Sequence, residues 1–470
     1  MNVRVNLLAI FVLSICSTCA HAQFDTVINL PENPDSPNPS GFSGISISSN
    51  TQLNVSDGGS IRVFFEAGAE DVPSTNVEVN ISGGSVGIGF DANSGSTINI
   101  SGGTVGIGFD AFGGSTVNIS GGAFGNDFDA FGTVNISGGE FLLNGSTIND
   151  ITSPFTLGNG DVFTGTLEDG SSFIFSTVNL DRLEGVNLIE TSTPTLDTTP
   201  QIINTASTLR SLRAGQTLTV QFGGALGDDF TAVGATLNVE SGSVGSGAEV
   251  ANSEVNVSGG TVGSFFDANS GSTVNISGGT VGSFFDARSG STVNISGGDV
   301  GDGFNASSGS TVNISGGDVG VGFDARSGST VNISGGTFGD NIQAFDGSTI
   351  NISGGTFGND FDIFSGSTVN LFGTEFFLNG SLIDASTLDE PFTIFDRGED
   401  VVLSGVFADG TLFDFDLNPN NPLFSSLDFF DSDSTLTITR VAVAVPEPGC
   451  GLTLATMSLV LLARRRRALR

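Results

Sequence analysis

An aspartate recurs after a phenylalanine along this 470-residue chain, as Asp91, Asp110 and Asp129 in one stretch and as Asp267, Asp286, Asp324 and Asp362 in another, with Ala following each but Asp362, where Ile363 does. Regularly spaced carboxylates can hold a divalent cation, or work in pairs as acid and base on a glycosidic bond. A glycosidase needs two carboxylates in different environments, one of them kept protonated. A lyase needs a base together with cationic groups that stabilise developing negative charge. Here the carboxylates repeat in what read as equivalent settings, and the chain has no Lys, no Tyr and a single His, His21. Arg288 and Arg326 stand where other repeats carry Asn269 and Ser307, and read as isolated surface residues. No catalytic residues are therefore expected; a carbohydrate-active β-helix enzyme, lyase or glycosidase-like, is the alternative.

The Asp column lies between Phe and Ala residues that point the other way in an extended strand, so it is expected to face outward. Neighbouring carboxylates about 5 Å apart repel by about 1 kcal/mol in water and less with salt, so no bound ion is required. The Gly-Gly-x-Gly-x-Asp nonapeptide of calcium-binding solenoids is replaced here by Gly-Gly-Thr-Val-Gly, and Asn305 and Gln343 interrupt the column. A solvated acidic face without cofactor or metal is the expectation, with Ca²⁺ as the alternative.

What positions these residues is a repeat with a period of 19: Asn256, Asn275, Asn294, Asn313, Asn332, Asn351 and Asn370 keep time without a slip. Val274, Val293 and Val312 head one apolar column, and Ile276, Ile295 and Ile314 head the next. Phe266, Phe285, Phe304 and Phe323, then Ala268, Ala287, Ala306 and Ala325, form two more. Alternation over short distances is the strand period, and Gly-Gly and Ser-Gly-Ser separate the pieces. Each repeat reads as three short strands joined by three corners. Only stacking of like units about 4.8 Å apart buries such columns, which predicts an all-β parallel β-helix. The outward Asn column is expected to form an amide ladder along the stack.

A shorter array, with Asn80, Asn99, Asn118 and an early Asn135, precedes this one. Similar modules follow both: Glu140–Ser146 answers to Glu375–Ser381, and Gly165–Phe175 to Gly405–Phe415. The chain is thus a tandem duplication, with Asp169-Gly170 and Asp409-Gly410 as hairpin turns. The expected organisation is a signal peptide over 1–22 and a linker with first N-terminal cap over 23–75. The first array covers 76–139, its hairpin cap 140–190, and a linker with second N-terminal cap 191–250. The second array covers 251–374, its cap 375–440, and a C-terminal signal 441–470.

Both ends carry export signals. Arg4, the apolar run Leu7 to Ile15 and the small-x-small site Ala20-His21-Ala22 form a secretory signal peptide, cleaved by signal peptidase before Gln23. At the other end Pro446-Glu447-Pro448 leads into the apolar run Cys450 to Ala463 and then Arg464 to Arg467. That run reaches only about 22 Å, short of a bilayer core, but Val441 to Val445 and snorkelling arginines extend it toward a membrane helix. The arginines are expected to stay on the cytoplasmic side of the inner membrane.

These three parts in this order resemble the PEP-CTERM sorting signal of Gram-negative bacteria. The resemblance covers residues 445–470 only. It implies recognition by an exosortase-like sorting peptidase, cleavage near the motif, and delivery to the cell surface or an exopolysaccharide matrix. The repeat region is more loosely similar to the β-helical passengers of bacterial adhesins and autotransporters, though no autotransporter barrel fits in the C-terminal part.

Composition agrees with an exported, stacked body. The net charge of −36 would suggest disorder in a chain poor in apolar residues, but 38% hydrophobic residues and 40 Phe can build a core. Cys16 and Cys19 fall in the signal peptide, so the mature chain keeps only Cys450 and no internal disulfide. The acidic body speaks against nucleic acid as a partner. The expected role is a secreted, surface-displayed or matrix-associated structural or adhesive protein, whose partners are exopolysaccharide or cell-envelope components.

Overall fold

The computed structural model describes residues 24–30, 46–69, 74–177, 180–384, 390–420 and 428–441. The expected signal peptide over 1–22, its expected cleavage residues Ala20, Ala22 and Gln23, and the Pro446-Glu447-Pro448 motif with its apolar run lie outside them. No helix among the described residues is long and apolar enough to cross a membrane.

The described chain is all β, a parallel β-solenoid whose coils run to roughly 19 residues. It divides into two compact units, Met1–Thr195 and Leu196–Arg470. In the second unit Thr273–Val281, Thr292–Val300, Thr311–Val319 and Thr330–Phe338 lie parallel and in register. Val274 pairs with Val293, Asn275 with Asn294 and Ile276 with Ile295. The second sheet stacks the short strands Asp286–Ala287, Asn305–Ala306 and Phe323–Ala325. The first unit repeats the plan, with Phe65–Ala67, Phe90–Ala92, Phe109–Ala111 and Phe128–Ala130 as its short sheet.

Burial explains why the columns exist. Val274, Ile276, Val281, Phe285 and Ala287 of one coil are all essentially inaccessible to solvent. The Phe285 and Phe304 rings stack with centroids 4.8 Å apart and planes 5° from parallel. Phe90, Phe109 and Phe128 do the same at 5.0 and 4.9 Å. Outside the core, the Asn amides of the long sheet donate from coil to coil, as Asn313 does to Asn294 at 2.9 Å and Asn332 to Asn313 at 2.8 Å, with Asn238 donating to Thr219 instead.

Three features depart from the expected layout. The first two of the three strands in a repeat are fused, over 77–143 and 273–378, into one strand of eight to eleven residues, bent at Ser-Gly-Gly in the coil Thr292–Val300, where Gly298 takes φ 80°. A Cβ there would lie 2.8 Å from the Gly278 carbonyl carbon beneath, so only glycine lets the coils close. Coils also begin earlier than the arrays: Thr26–Leu30 pairs with Thr51–Val55, and Gln201–Ile203, Thr217–Val220 and Thr236–Val239 stack in turn. Finally, each hairpin module is inserted into a coil rather than following it. After the hairpin Val162–Leu167 and Ser172–Ser176 the chain returns to the ladder, and Asn187 donates to Asn135 across 52 residues. In the second unit Thr437 donates to Asn370 across 67. Hairpin phenylalanines close the core, with Phe175 against Phe128 and Phe415 against Phe361.

Candidate functional site: an acidic groove on the short-strand face

The short strands align their central residues into one column per unit. Glu66, Asp91, Asp110 and Asp129 stack in the first unit, ending at Arg182. Glu249, Asp267, Asp286, Asn305, Asp324, Gln343 and Asp362 stack in the second. Two residues further along each coil a second column runs beside it: Asn93 and Phe112 in the first unit, Asn269, Arg288, Ser307, Arg326 and Phe345 in the second. The strands are short because a Ser-closed turn follows, as where Ser291 Oγ donates to the Arg288 carbonyl at 2.6 Å across Gly290. In the first unit the two columns border an open cavity.

The acidic face is not uniformly solvated, contrary to expectation. Asp267, Glu249, Asp129 and Asp362 are buried, while Asp91, Asp110, Asp286 and Asp324 are half-buried. Arg288 is the reason at the head of the second unit, and it is not the isolated surface residue that its position suggests. Its guanidinium donates to both oxygens of Asp267 at 3.0 and 2.9 Å and lies 3.1 Å from Asp286. Burial works against its charge, but the Asp267 and Asp286 carboxylates outweigh it and hold its pKa above the ordinary value. Arg326 is half-exposed; it pairs with Asp324 at 2.8 Å, donates to Asn305 at 3.0 Å, and stands 5.7 Å from the Phe345 ring centre in the coil above.

The carboxylates are not in equivalent settings either. Burial, then Asp91 and Asp127, raise the Asp110 carboxyl. Burial, then Asp360 and Asp428, push Asp362 up to about 6. Among the described residues no group of three or more His, Cys, Asp or Glu is arranged to hold a metal ion.

Two residues escaped sequence reasoning. Asp181 is buried where the first hairpin rejoins the short sheet, accepting from the Phe128 and Ser176 amides at 2.9 and 2.7 Å. Asp428 occupies the same place in the second unit, accepting from the Phe361 and Asp416 amides at 3.0 and 3.1 Å. Burial pushes the Asp181 carboxyl up to about 8 despite those two bonds, with Asp127 and Asp129 adding to it. The available signal was an aspartate following each duplicated hairpin, just before the residues that rejoin the stack.

A cavity of about 270 Å³ opens on the groove of the first unit, lined by Glu66, Asp91, Asn93, Ser94, Phe112 and Gly113. A second, of about 460 Å³, lies on the amide ladder of the second unit, between Asn313, Asn332, Asn351 and Phe372. No family model, no curated protein and no solved structure matches this chain.

Proposed function

We propose that this chain is a secreted structural or adhesive solenoid, displayed on a bacterial surface or held in its matrix after sorting through Pro446-Glu447-Pro448. The observation that supports it best is the outer surface of the long sheet. Thr292 and Asn294 are matched one coil on by Thr311 and Asn313, and Ser296 recurs in sequence as Ser315 beyond a shift in register. A face offering the same hydroxyls and amide at every coil suits weak, multivalent contact with a repeating polymer such as a polysaccharide. The ladder pre-sets the amide orientation, so little ordering entropy is lost on contact.

Sorting is tested by mass spectrometry of the chain recovered from the cell surface. Cleavage near Pro446 is expected, and surface material still carrying Arg470 would refute it. The structural reading predicts that the purified body retains exopolysaccharide without altering it. Release of new reducing ends or unsaturated sugars would replace it with the carbohydrate-active enzyme.

A further inference from the structure

The outer surface of the long sheet changes character near the end of the second unit. The serine that follows the ladder at each 19-residue step, as Ser315, Ser334 and Ser353, gives way there to Phe372. The first unit keeps Ser137 at the equivalent place before its own hairpin. Phe372 is half-buried, and with Val441, whose amide donates to the Gly373 carbonyl at 2.8 Å, it lines the cavity of about 460 Å³ on the ladder. The remaining lining is neutral and polar, from Asn313, Asn332, Asn351 and the serines beside them, and includes no charged residue. These groups keep hydrogen-bonding capacity in hand. Asn332 donates to Asn313 and accepts from Asn351, each at 2.8 Å. An amide has two N–H donors and two acceptor sites. The second N–H of Asn313, Asn332 and Asn351 meets no partner among the described residues. Ser315, Ser334 and Ser353 donate to backbone carbonyls of the coil before at 3.4, 3.4 and 3.3 Å, which leaves their lone pairs as acceptors.

We propose that this cavity is a subsite for neutral, β-linked glucose units of a polysaccharide, with Phe372 as its stacking wall, an inference that rests on the adhesive role proposed for the same face. An all-equatorial pyranose carries hydroxyls around its edge and C–H bonds on its faces. The spare amide and serine groups suit the edge, and a phenyl ring suits the face. An extended β-linked chain advances per ring by roughly one coil spacing, about 4.8 Å, so successive rings meet successive Asn and Ser pairs. Charge selects against acidic polymers: a uronate or sulfate would approach a chain of net charge −36 and find no cation in the lining. A peptide strand is a poorer fit, because strand addition needs an open sheet edge and side-chain pockets, and this is a sheet face.

The test is saturation-transfer NMR of the full chain with cellohexaose and laminarihexaose, against hexagalacturonate. Saturable binding of at least one of the two glucans is expected, with a dissociation constant on the order of 1 mM for so few contacting atoms, and none of the galacturonate. Phe372→Ser restores the residue of the first unit and should weaken glucan binding about fivefold or more. Ser334→Phe, at an exposed position, fills the cavity and should abolish binding, with the circular-dichroism strand signal retained. Ser277→Phe, equally exposed on the same face but outside the cavity, should leave binding unchanged. No saturable binding of either glucan by the wild-type chain, equal binding of hexagalacturonate, or binding that survives both Phe372→Ser and Ser334→Phe would overturn the proposal. Retention of exopolysaccharide separates the subsite from the adhesive role. Retention that both variants keep in full would remove the subsite and leave adhesion standing. Glucan binding lost on substitution, in a chain whose wild type retains no exopolysaccharide, would remove adhesion and leave the subsite.

Discussion

Replacing Arg288 by Met keeps the side chain's length and apolar stem but removes the charge that three stacked acids face. Its side chain is 12% exposed and that of Asp267 6%, so the pair is close to fully desolvated, whereas Asp286 at 22% retains some water. Breaking a buried pair by deleting one partner costs about 3–5 kcal/mol, because the remaining charge is left uncompensated. The partial hydration of Asp286 argues for the lower end, about 3 kcal/mol. For a unit of this size that corresponds to a fall in Tm of about 6 °C or more at pH 7.5. The loss must also depend on pH. Without the guanidinium, the desolvated Asp267 carboxylate is costly only while ionised, so the cost falls away once low pH protonates it. The gap between Arg288→Met and wild type should therefore shrink toward zero near pH 4. The assay is thermal unfolding of both proteins followed by circular dichroism from pH 4 to 8. A gap under about 1 °C at pH 7.5, or one that stays constant with pH, would refute the reasoning.

Three further outcomes follow from the same architecture. Phe304→Ala removes a fully buried ring stacked at 4.8 Å on one neighbour and 5.2 Å from the next, and should cost about 4 kcal/mol by denaturant unfolding; a cost under 1 kcal/mol would contradict the shared core. Asn313→Ala breaks two rungs of the half-exposed ladder and should cost about 1 kcal/mol, and a neutral result would show that the ladder carries no net stability. Asp181, with its carboxyl pushed up to about 8, contributes fully below the ordinary carboxylate pKa and loses that contribution as pH rises through about 8. At about 1.4 kcal/mol per pKa unit the change is on the order of 5 kcal/mol. Unfolding of the first unit should accordingly become easier from pH 5 to pH 8.5. A Tm that rises over that range would exclude it.

The stacking was legible because side chains one coil apart are identical, and each apolar column needs only a fixed step to be seen. Val274 over Val293 and Phe285 over Phe304 follow directly from numbering. Coils over 201–250 escaped because the step there drops to 18, from Asn238 to Asn256, and Thr219 replaces Asn in the column below. The hairpins read as caps beyond the last coil because their return to the ladder spans 52 and 67 residues, too far for any local pattern. The Arg288 clamp was hidden for a different reason. Its partner Asp267 lies 21 residues back, one coil plus two positions, and that offset becomes a contact only once the corner geometry is known. Burial of Asp181 likewise depends on a strand docking from elsewhere in the chain, which alternation patterns do not report.

The decisive measurement is disulfide trapping between coils, in a chain that lacks residues 1–22, with their Cys16 and Cys19, and carries Cys450→Ser. Thr292→Cys paired with Thr311→Cys places two thiols on adjacent parallel strands at aligned positions, within reach of a bridge. The account predicts rapid oxidation of that pair, and none when Thr292→Cys is combined with Val312→Cys, whose side chain points into the core. Equal trapping of both pairs, or trapping of the second alone, would mean that the coils do not align at the 19-residue step.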